Sequence, residues 1–210
     1  HATFLSYCLA IAGVFPFAGF FSKDEILLGA WTVHLPGWPV WYGKALYAVV
    51  SSYNGEQFLD AVRVVERERL TRITIHQPSY SLLNRRIAPD LLGHTARHGC
   101  GVIAFCPLAQ GLLTSKYLDG IPPDSRAALW WDEESKTRKL AGSVLEKIRG
   151  LNAIAKERGQ TLAQMAITWV LRDARVTSAL IGASRVAQIE ENVAALSNLA
   201  FSEVELRKID

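Results

Sequence analysis

The sequence predicts an α/β fold: a parallel sheet of about four strands with helices outside it, preceded by one apolar helix that is a candidate for membrane insertion. Three observations predict it. Charge is partitioned, because of the 23 basic and 20 acidic residues only Lys23, Asp24 and Glu25 lie in the first 43 positions of this 210-residue chain. Beyond Gly43, short β-branched runs alternate with charged amphipathic stretches, and regular strand–helix alternation implies parallel pairing through crossover helices. Half of the residues are hydrophobic and a fifth are charged, which excludes a disordered or collagen-like chain.

The first element is the apolar helix. Ala2 to Ser22 is a run of 21 residues without a charged side chain, close to the ~20 that span a bilayer. Pro16, between Gly13 and Gly19, would kink it, as spanning helices tolerate where neighbours satisfy the freed backbone. Trp31, Trp38, Trp41 and Tyr42 follow with the composition of an interfacial belt. A signal peptide fits poorly, for want of a basic leader region and a small-residue cleavage site. A helix buried in a soluble protein is the competing reading. The chain opens on His1 rather than Met, so an upstream part is expected.

The strand–helix elements come next. Leu46 to Ser51 is an apolar strand candidate, and Gln57 to Arg69 a helix with Phe58, Ala61, Val62 and Val65 on one face. Thr71 to His76 is a second strand. Ala88 to His98 is a helix that Gly99 ends, and Gly101 to Cys106 a third, fully apolar strand stopped by Pro107. Residues 118–138, with Pro122, Pro123, Asp124 and Ser125, read as an irregular loop in which Trp130 and Trp131 cover a rim, the alternative being that they line an apolar pocket. Helices follow at about Ala141–Arg158 and Thr161–Asp173, parted by Gly159. Ser178 to Ile181 is a fourth strand, Val186 to Leu196 a helix, and Ser202 caps a last one.

In parallel sheets of this kind the ligand site lies at the carboxyl ends of the strands. The residues there are Ser51 to Asn54, Gln77, Phe105 to Leu108 and Gly182 to Arg185. The last group is the most informative. A strand runs into Gly182, Ser184 is placed to cap the next helix, and the free N–H groups there face an anion, beside a guanidinium suited to bidentate phosphate contact. An ordinary capped helix with a solvated arginine is the alternative.

Other chemistry is poorly represented. A net charge of +3 is too weak to argue for nucleic acid. Cys8, Cys100 and Cys106 are too few and scattered for a disulfide framework, which favours a reducing compartment. His94, His98, Cys100 and Cys106 superficially resemble zinc ligands, but a strand of roughly 20 Å separates the two thiols, so no metal site is expected. The Walker phosphate loop and the serine-hydrolase elbow are absent from the sequence.

Two resemblances sharpen this. "LAIAGVFPFAGFFSKDEILLGAW" (Leu9 to Trp31) resembles the antiporter-like large membrane subunit of proton-pumping NADH:quinone oxidoreductase, most specifically at Phe17 to Leu27. "GKALYAVVSSYN" (Gly43–Asn54), "IHQPSYSLLNR" (Ile75–Arg85), "AFCPLAQGLLTSKY" (Ala104–Tyr117) and "VTSALIGASRVAQIEENVAAL" (Val176–Leu196) resemble the aldo-keto reductases. Within that family they are most like the branch of the L-glyceraldehyde 3-phosphate reductases and potassium-channel β subunits. The resemblance implies the second half, strands five to eight, of a (β/α)8 barrel that transfers hydride from NADPH to an aldehyde or ketone. The expected division is 1–43, an apolar membrane-like segment, and 44–210, a cofactor-binding half-barrel, with the junction near residues 43–50.

The same resemblance implies roles. Ser51, Ser52 and Gln77 hold the nicotinamide carboxamide, and Phe105 packs on the ring. Cys106, Pro107, Leu108, Gln110 and Gly111 form the pyrophosphate loop, with Lys116 as a phosphate cation. Gly182 leads into Ser184 and Arg185, the clamp on the 2′-phosphate, which favours NADPH over NADH. Gln188, Glu191 and Asn192 grip the adenosine end from one helix face. Val49 stands where the family usually has Gly, an expected disturbance of the carboxamide site. The family's catalytic Asp, Tyr, Lys and His belong to strands two to four, so no catalytic residue is assigned and turnover by this chain alone is expected to fail. Neither Tyr53 nor Tyr80 has the required Lys in its own motif. The expectation is thus a chimeric or truncated NADPH-dependent reductase acting on a small carbonyl substrate. Residues 44–210 are expected in the cytoplasm, with membrane contact through residues 2–42. A membrane-anchored interaction protein and a non-functional product are the alternatives. Unpaired outer strands predict a homo-oligomer, a dimer closing a pseudo-barrel, or aggregation.

Overall fold

The computed structural model describes residues 48–210. The apolar helix expected within residues 2–22, and the segment division at 43, lie outside the described residues. Among the described residues no helix is long and apolar enough to cross a membrane.

Four parallel strands form one sheet in chain order: β1 (Ala48–Ser51), β2 (Ile73–Gln77), β3 (Gly101–Phe105) and β4 (Ser178–Leu180). Register aligns Ser51 with Gln77 and Phe105 with Leu180, so the strand ends finish side by side. Between Ala48 and Val49 the β1–β2 ladder shifts, β2 contributing one residue more than β1. Val49, flagged above as a departure, therefore sits at an irregularity in the pairing.

Helix α1 (Gly55–Arg67) begins in a capping box: Asn54 Oδ1 accepts the Gln57 amide at 2.8 Å and Gln57 Oε1 accepts the Asn54 amide at 3.0 Å. It buries Phe58 and Val62 on the sheet. Helix α2 (Leu91–Arg97) starts three residues later than the apolar pattern suggested, and Gly99 leaves it at a φ of +61°, as a C-terminal glycine does. The β3–β4 crossover holds four helices. The stretch expected to be irregular contains α3 (Arg126–Trp130) and most of α4 (Glu133–Lys139). Ser125 and Asp132 cap them, accepting from the amides of Ala128 and Ser135; the prolines upstream concealed these short helices. Trp130 is 80% exposed, whereas Trp131 packs on the Tyr117 ring.

Helix α5 (Gly142–Glu157) buries Ile148, Leu151, Ile154 and Ala155 as one stripe. Helix α6 (Leu162–Leu171), opened by a Thr161–Gln164 capping box, is buried nearly all round, as its unbroken apolar composition requires. Helix α7 (Val186–Ala194) and helix α8 (Glu203–Ile209) complete the order, α8 capped by Ser202 as expected. The core joins Phe58, Leu91, Leu92 and Val102 near the sheet to Ile148, Met165, Trp169 and Val170 beneath.

Two arginines tie the C-terminal part down. Arg158, its side chain 2% exposed, donates to Glu205 Oε1 at 2.6 Å, Gln160 Oε1 at 3.0 Å and the Ala200 carbonyl at 2.9 Å, and lies over the Phe201 ring. Arg85, after β2, donates to Asp210 Oδ1 and the Ile209 carbonyl and sits 4.8 Å above Trp169.

Candidate functional site

At the carboxyl end of the sheet the backbone turns sharply without glycine. Ser52, directly after β1, has φ +64°, and Cys106, directly after β3, has φ +55°. Left-handed backbone at residues with side chains costs energy and collects at binding sites. Each turn is held in place. The Gln77 carbonyl accepts the Ser51 hydroxyl at 2.8 Å and the Ser52 amide at 3.1 Å, and the two serine hydroxyls lie 3.4 Å apart. Ser51, Ser52 and Gln77 are thus brought together at one point.

Phe105 is gripped from β2's continuation: its amide donates to the Pro78 carbonyl at 2.9 Å and its carbonyl accepts the Tyr80 amide at 3.2 Å. The half-buried ring therefore has a fixed backbone beneath it. Beyond it the chain coils left-handed through Ala109 (φ +47°), Gln110 (φ +61°) and Gly111 (φ +98°). Leu108 receives the amides of Gly111 and Leu113 on its carbonyl, and Pro107 is buried below. Gly111 is favoured here, since its φ disfavours any side chain; a Cβ would stand 3.4 Å from the Tyr117 ring, in contact with it. Lys116 is exposed in the following short turn.

The sequence missed Lys139. Its ammonium donates to Gln110 Oε1 at 2.7 Å and lies 4.2 Å above the Trp131 ring, so α4 delivers a cation to this loop. Its signal was the Asp132 cap followed by Glu133, Lys136 and Lys139 at helical spacing.

The fourth corner corrects an expectation. Ser184 does not cap α7; Arg185 occupies the N-cap position. Instead one oxygen, Gln188 Oε1, accepts the Ser184 amide at 2.8 Å, the Ser184 hydroxyl at 3.2 Å and the Arg185 amide at 3.2 Å. Three donors converging on a single neutral oxygen, with the exposed Arg185 beside them, form a seat that suits an anion better than an amide. Gly182 is exposed, with open space where a Cβ would stand. Gln188, Glu191 and Asn192 do not share one environment: Asn192 is buried, Gln188 half-buried and Glu191 exposed. Glu191 meets α6 through its carbonyl, which accepts Gln164 Nε2 at 3.1 Å.

Other titratable groups lie off this end. His76, on the buried side of β2 against Phe58 and Tyr53, is held down to a pKa of about 4, chiefly by burial. Burial pushes the Cys100 thiol up to about 11, which makes it inert. His94 lies 2.7 Å from Asp90 and 2.7 Å from Arg97. Tyr80 and Tyr117 are buried, Tyr80 tilted on Trp169 and Tyr117 accepting the Ala127 amide on its hydroxyl, so neither offers a proton at the strand ends. A cavity of about 290 Å³ lined by Val62, Arg69, Arg72, Ile73 and His98 opens at the opposite, amino end of β2.

Comparison with known proteins bears on this geometry. Residues 40–210 match the Aldo/keto reductase family. The chain is 52% identical over 174 residues to the L-glyceraldehyde 3-phosphate reductase of Escherichia coli (strain K12), an overlap of 80% of this chain and 49% of that protein. It is 37% identical over 167 residues to a probable voltage-gated potassium channel subunit beta of Oryza sativa subsp. japonica, covering 79% of this chain and 51% of that one. The solved glycerol dehydrogenase of Gluconobacter oxydans superposes with a TM-score of 0.60 at 25% identity, over 78% of this chain and 47% of that structure. The chain spans about half the length of the curated relatives it matches.

Proposed function

The chain belongs to the aldo/keto reductase family, and we propose that residues 48–210 are its NADPH-holding half, serving hydride transfer to a small aldehyde or ketone. The observation that carries this reading is the convergence of the Ser184 amide, the Ser184 hydroxyl and the Arg185 amide on one oxygen beside the Arg185 guanidinium. A phosphate oxygen replacing Gln188 Oε1 would gain charge-assisted bonds from donors already aimed at it. That seat takes the 2′-phosphate, which is why the phosphorylated dinucleotide is preferred.

The other roles follow the strand ends. The Ser51 and Ser52 hydroxyls and Gln77 bind the carboxamide, orienting the ring against Phe105. The left-handed turn from Cys106 to Gly111 gives the pyrophosphate main-chain donors, with Pro107 and Leu108 shaping its wall. Lys116 and Lys139 supply positive charge there, and Gln188, Glu191 and Asn192, along α7, border the adenosine. When bound, NADPH supplies the hydride. The proton that the carbonyl oxygen needs comes from an acid outside this half: Tyr80 and Tyr117 are buried, and Tyr53 has no lysine in its own motif. General acid help is worth ~10²–10⁴-fold in rate, so the chain alone binds the cofactor and does not turn over.

Titrating NADPH against the fluorescence of the six tryptophans tests the binding, with a thermal shift as second readout. Quenching between micromolar and millimolar NADPH is expected; none at millimolar concentration overturns the reading. Steady NADPH consumption with an aldehyde by the purified chain would overturn the missing-acid part alone.

A membrane role for the N-terminal segment is a separate proposal, supported by the uncharged run Ala2–Ser22 and its resemblance to a membrane subunit. Resistance to carbonate extraction is expected of it, and clean release into the soluble fraction refutes it. Sequencing through codons 43–50 in the source DNA tests the chimeric origin.

A further inference from the structure

The turn from α1 into β2 is strained at an arginine. The Leu70 amide donates to the Val65 carbonyl at 2.8 Å and the Arg69 amide to the Glu66 carbonyl at 3.2 Å, a paired closure in which glycine usually takes the left-handed position. Here Arg69 takes it, at a φ of +53°. A side chain held there against its preference points to a task for that side chain. Arg69 lines the cavity of about 290 Å³ at the amino end of β2, and so do Arg72 and His98. Arg72 reaches across to the end of α2, where a Cβ on Gly99 would stand 3.4 Å from one of its guanidinium nitrogens. Among the described residues neither Arg69 nor Arg72 forms an ion pair.

We propose that this cavity binds a small aliphatic carboxylate, its head between the Arg69 and Arg72 guanidinia and its tail along Val62, Val65 and Ile73. The planar fork of a guanidinium matches a carboxylate in two hydrogen bonds. His98, half-buried and edge-on to the Phe58 ring, adds a further hydrogen-bonding group to the lining. Two features select a single negative charge joined to a hydrocarbon. The lining includes one carboxylate, Glu66, and lies beside the C-terminal turns of α1 and α2. Both disfavour a dianion such as phosphate. Val62 and Ile73 are buried and Val65 half-buried, so an apolar tail keeps dry a wall that a bare ion would leave in water. The volume stands at the lower limit of small-molecule sites, with room for a chain of about six carbons. The proposed cofactor end of the sheet lies roughly 16 Å away along β2, and nothing in this inference rests on NADPH binding.

Ligand-observed NMR of sodium hexanoate with the full chain decides it. A dissociation constant of about 1 mM is expected, within what eight non-hydrogen atoms allow. Acetate, which lacks the tail, and hexanol, which lacks the charge, should each bind at least about tenfold more weakly. Arg69→Gly separates the site from the fold. Glycine suits the left-handed position, so the urea midpoint should hold or rise while hexanoate affinity falls at least about tenfold. Arg72→Gln is a second variant with the same expected loss of binding. No saturation by about 20 mM hexanoate overturns the proposal, whatever else fills the cavity. Binding that both variants leave unchanged belongs to another surface and overturns it as well. Inorganic phosphate or hexanol binding as tightly as hexanoate refutes the assigned ligand class.

Discussion

The Ser51 hydroxyl donates to the Gln77 carbonyl at 2.8 Å, across the last step of the β1–β2 ladder. The bond holds in register two residues proposed to face the carboxamide, and it steadies the left-handed turn at Ser52. Replacing Ser51 with Ala should lower stability by about 1 kcal/mol, the net worth of one such bond. NADPH affinity should fall several-fold as well. Urea unfolding and fluorescence titration read the two effects separately; unchanged affinity would detach Ser51 from the cofactor.

Arg185 makes a sharper test of cofactor choice. Arg185→Ala should weaken NADPH by about 10-fold or more, the value of a charge-assisted phosphate contact, and leave NADH nearly unaffected. Arg185→Lys should recover only part, because an ammonium lacks the planar fork. Equal losses for both dinucleotides would place the guanidinium elsewhere than on the 2′-phosphate.

Arg158 governs stability and not binding. Its guanidinium satisfies Glu205, Gln160 and the Ala200 carbonyl from a nearly buried position. Arg158→Ala should cost about 2–3 kcal/mol, since one carboxylate and two neutral oxygens lose their hydrogen bonds. The urea midpoint should drop while the NADPH titration keeps its shape.

His76 gives the fold a pH dependence. Its pKa falls from 6.5 to about 4, first through burial, with Arg86 lowering it further and the Tyr53 backbone opposing. The folded state thus prefers the neutral ring. Between these values the unfolded chain binds more protons, so the contribution is complete above 6.5 and is lost as pH falls toward 4. The loss should reach about 1.4 kcal/mol per pH unit at its steepest. His76→Phe, which keeps a ring beside Phe58, should flatten that part of the stability curve. A parallel fall in wild type and variant would assign the acid sensitivity to other groups.

Much of the sheet was legible because its signals are local. Gly101–Phe105 is an unbroken apolar run, and Gly99 and Pro107 punctuate it. The cap at Ser202 was equally plain, with Glu205 three residues on. What stayed hidden depends on neighbours. Helices α3 and α4 are too short to show a period beside two prolines, so Lys139's reach to Gln110 was invisible. At α7 the spacing showed an amphipathic helix, but not which side would find a partner, and Ser184 read as a cap because serine usually is one. The left-handed backbone at Ser52 and Cys106 left no trace, since neither residue type demands it.

The clasp between Arg85 and Asp210 joins positions 125 residues apart. A contact of such range carries a larger closure entropy than the strand pairings between, which favours its forming after them. The Arg85 end of the loop behind Gln77 is consequently secured late, after its start is fixed to β3 by the bonds of Pro78 and Tyr80 with Phe105. A chain made as far as β4 would hold the start of that loop through Pro78 and Tyr80, and gain the tie at Arg85 only when Asp210 has emerged.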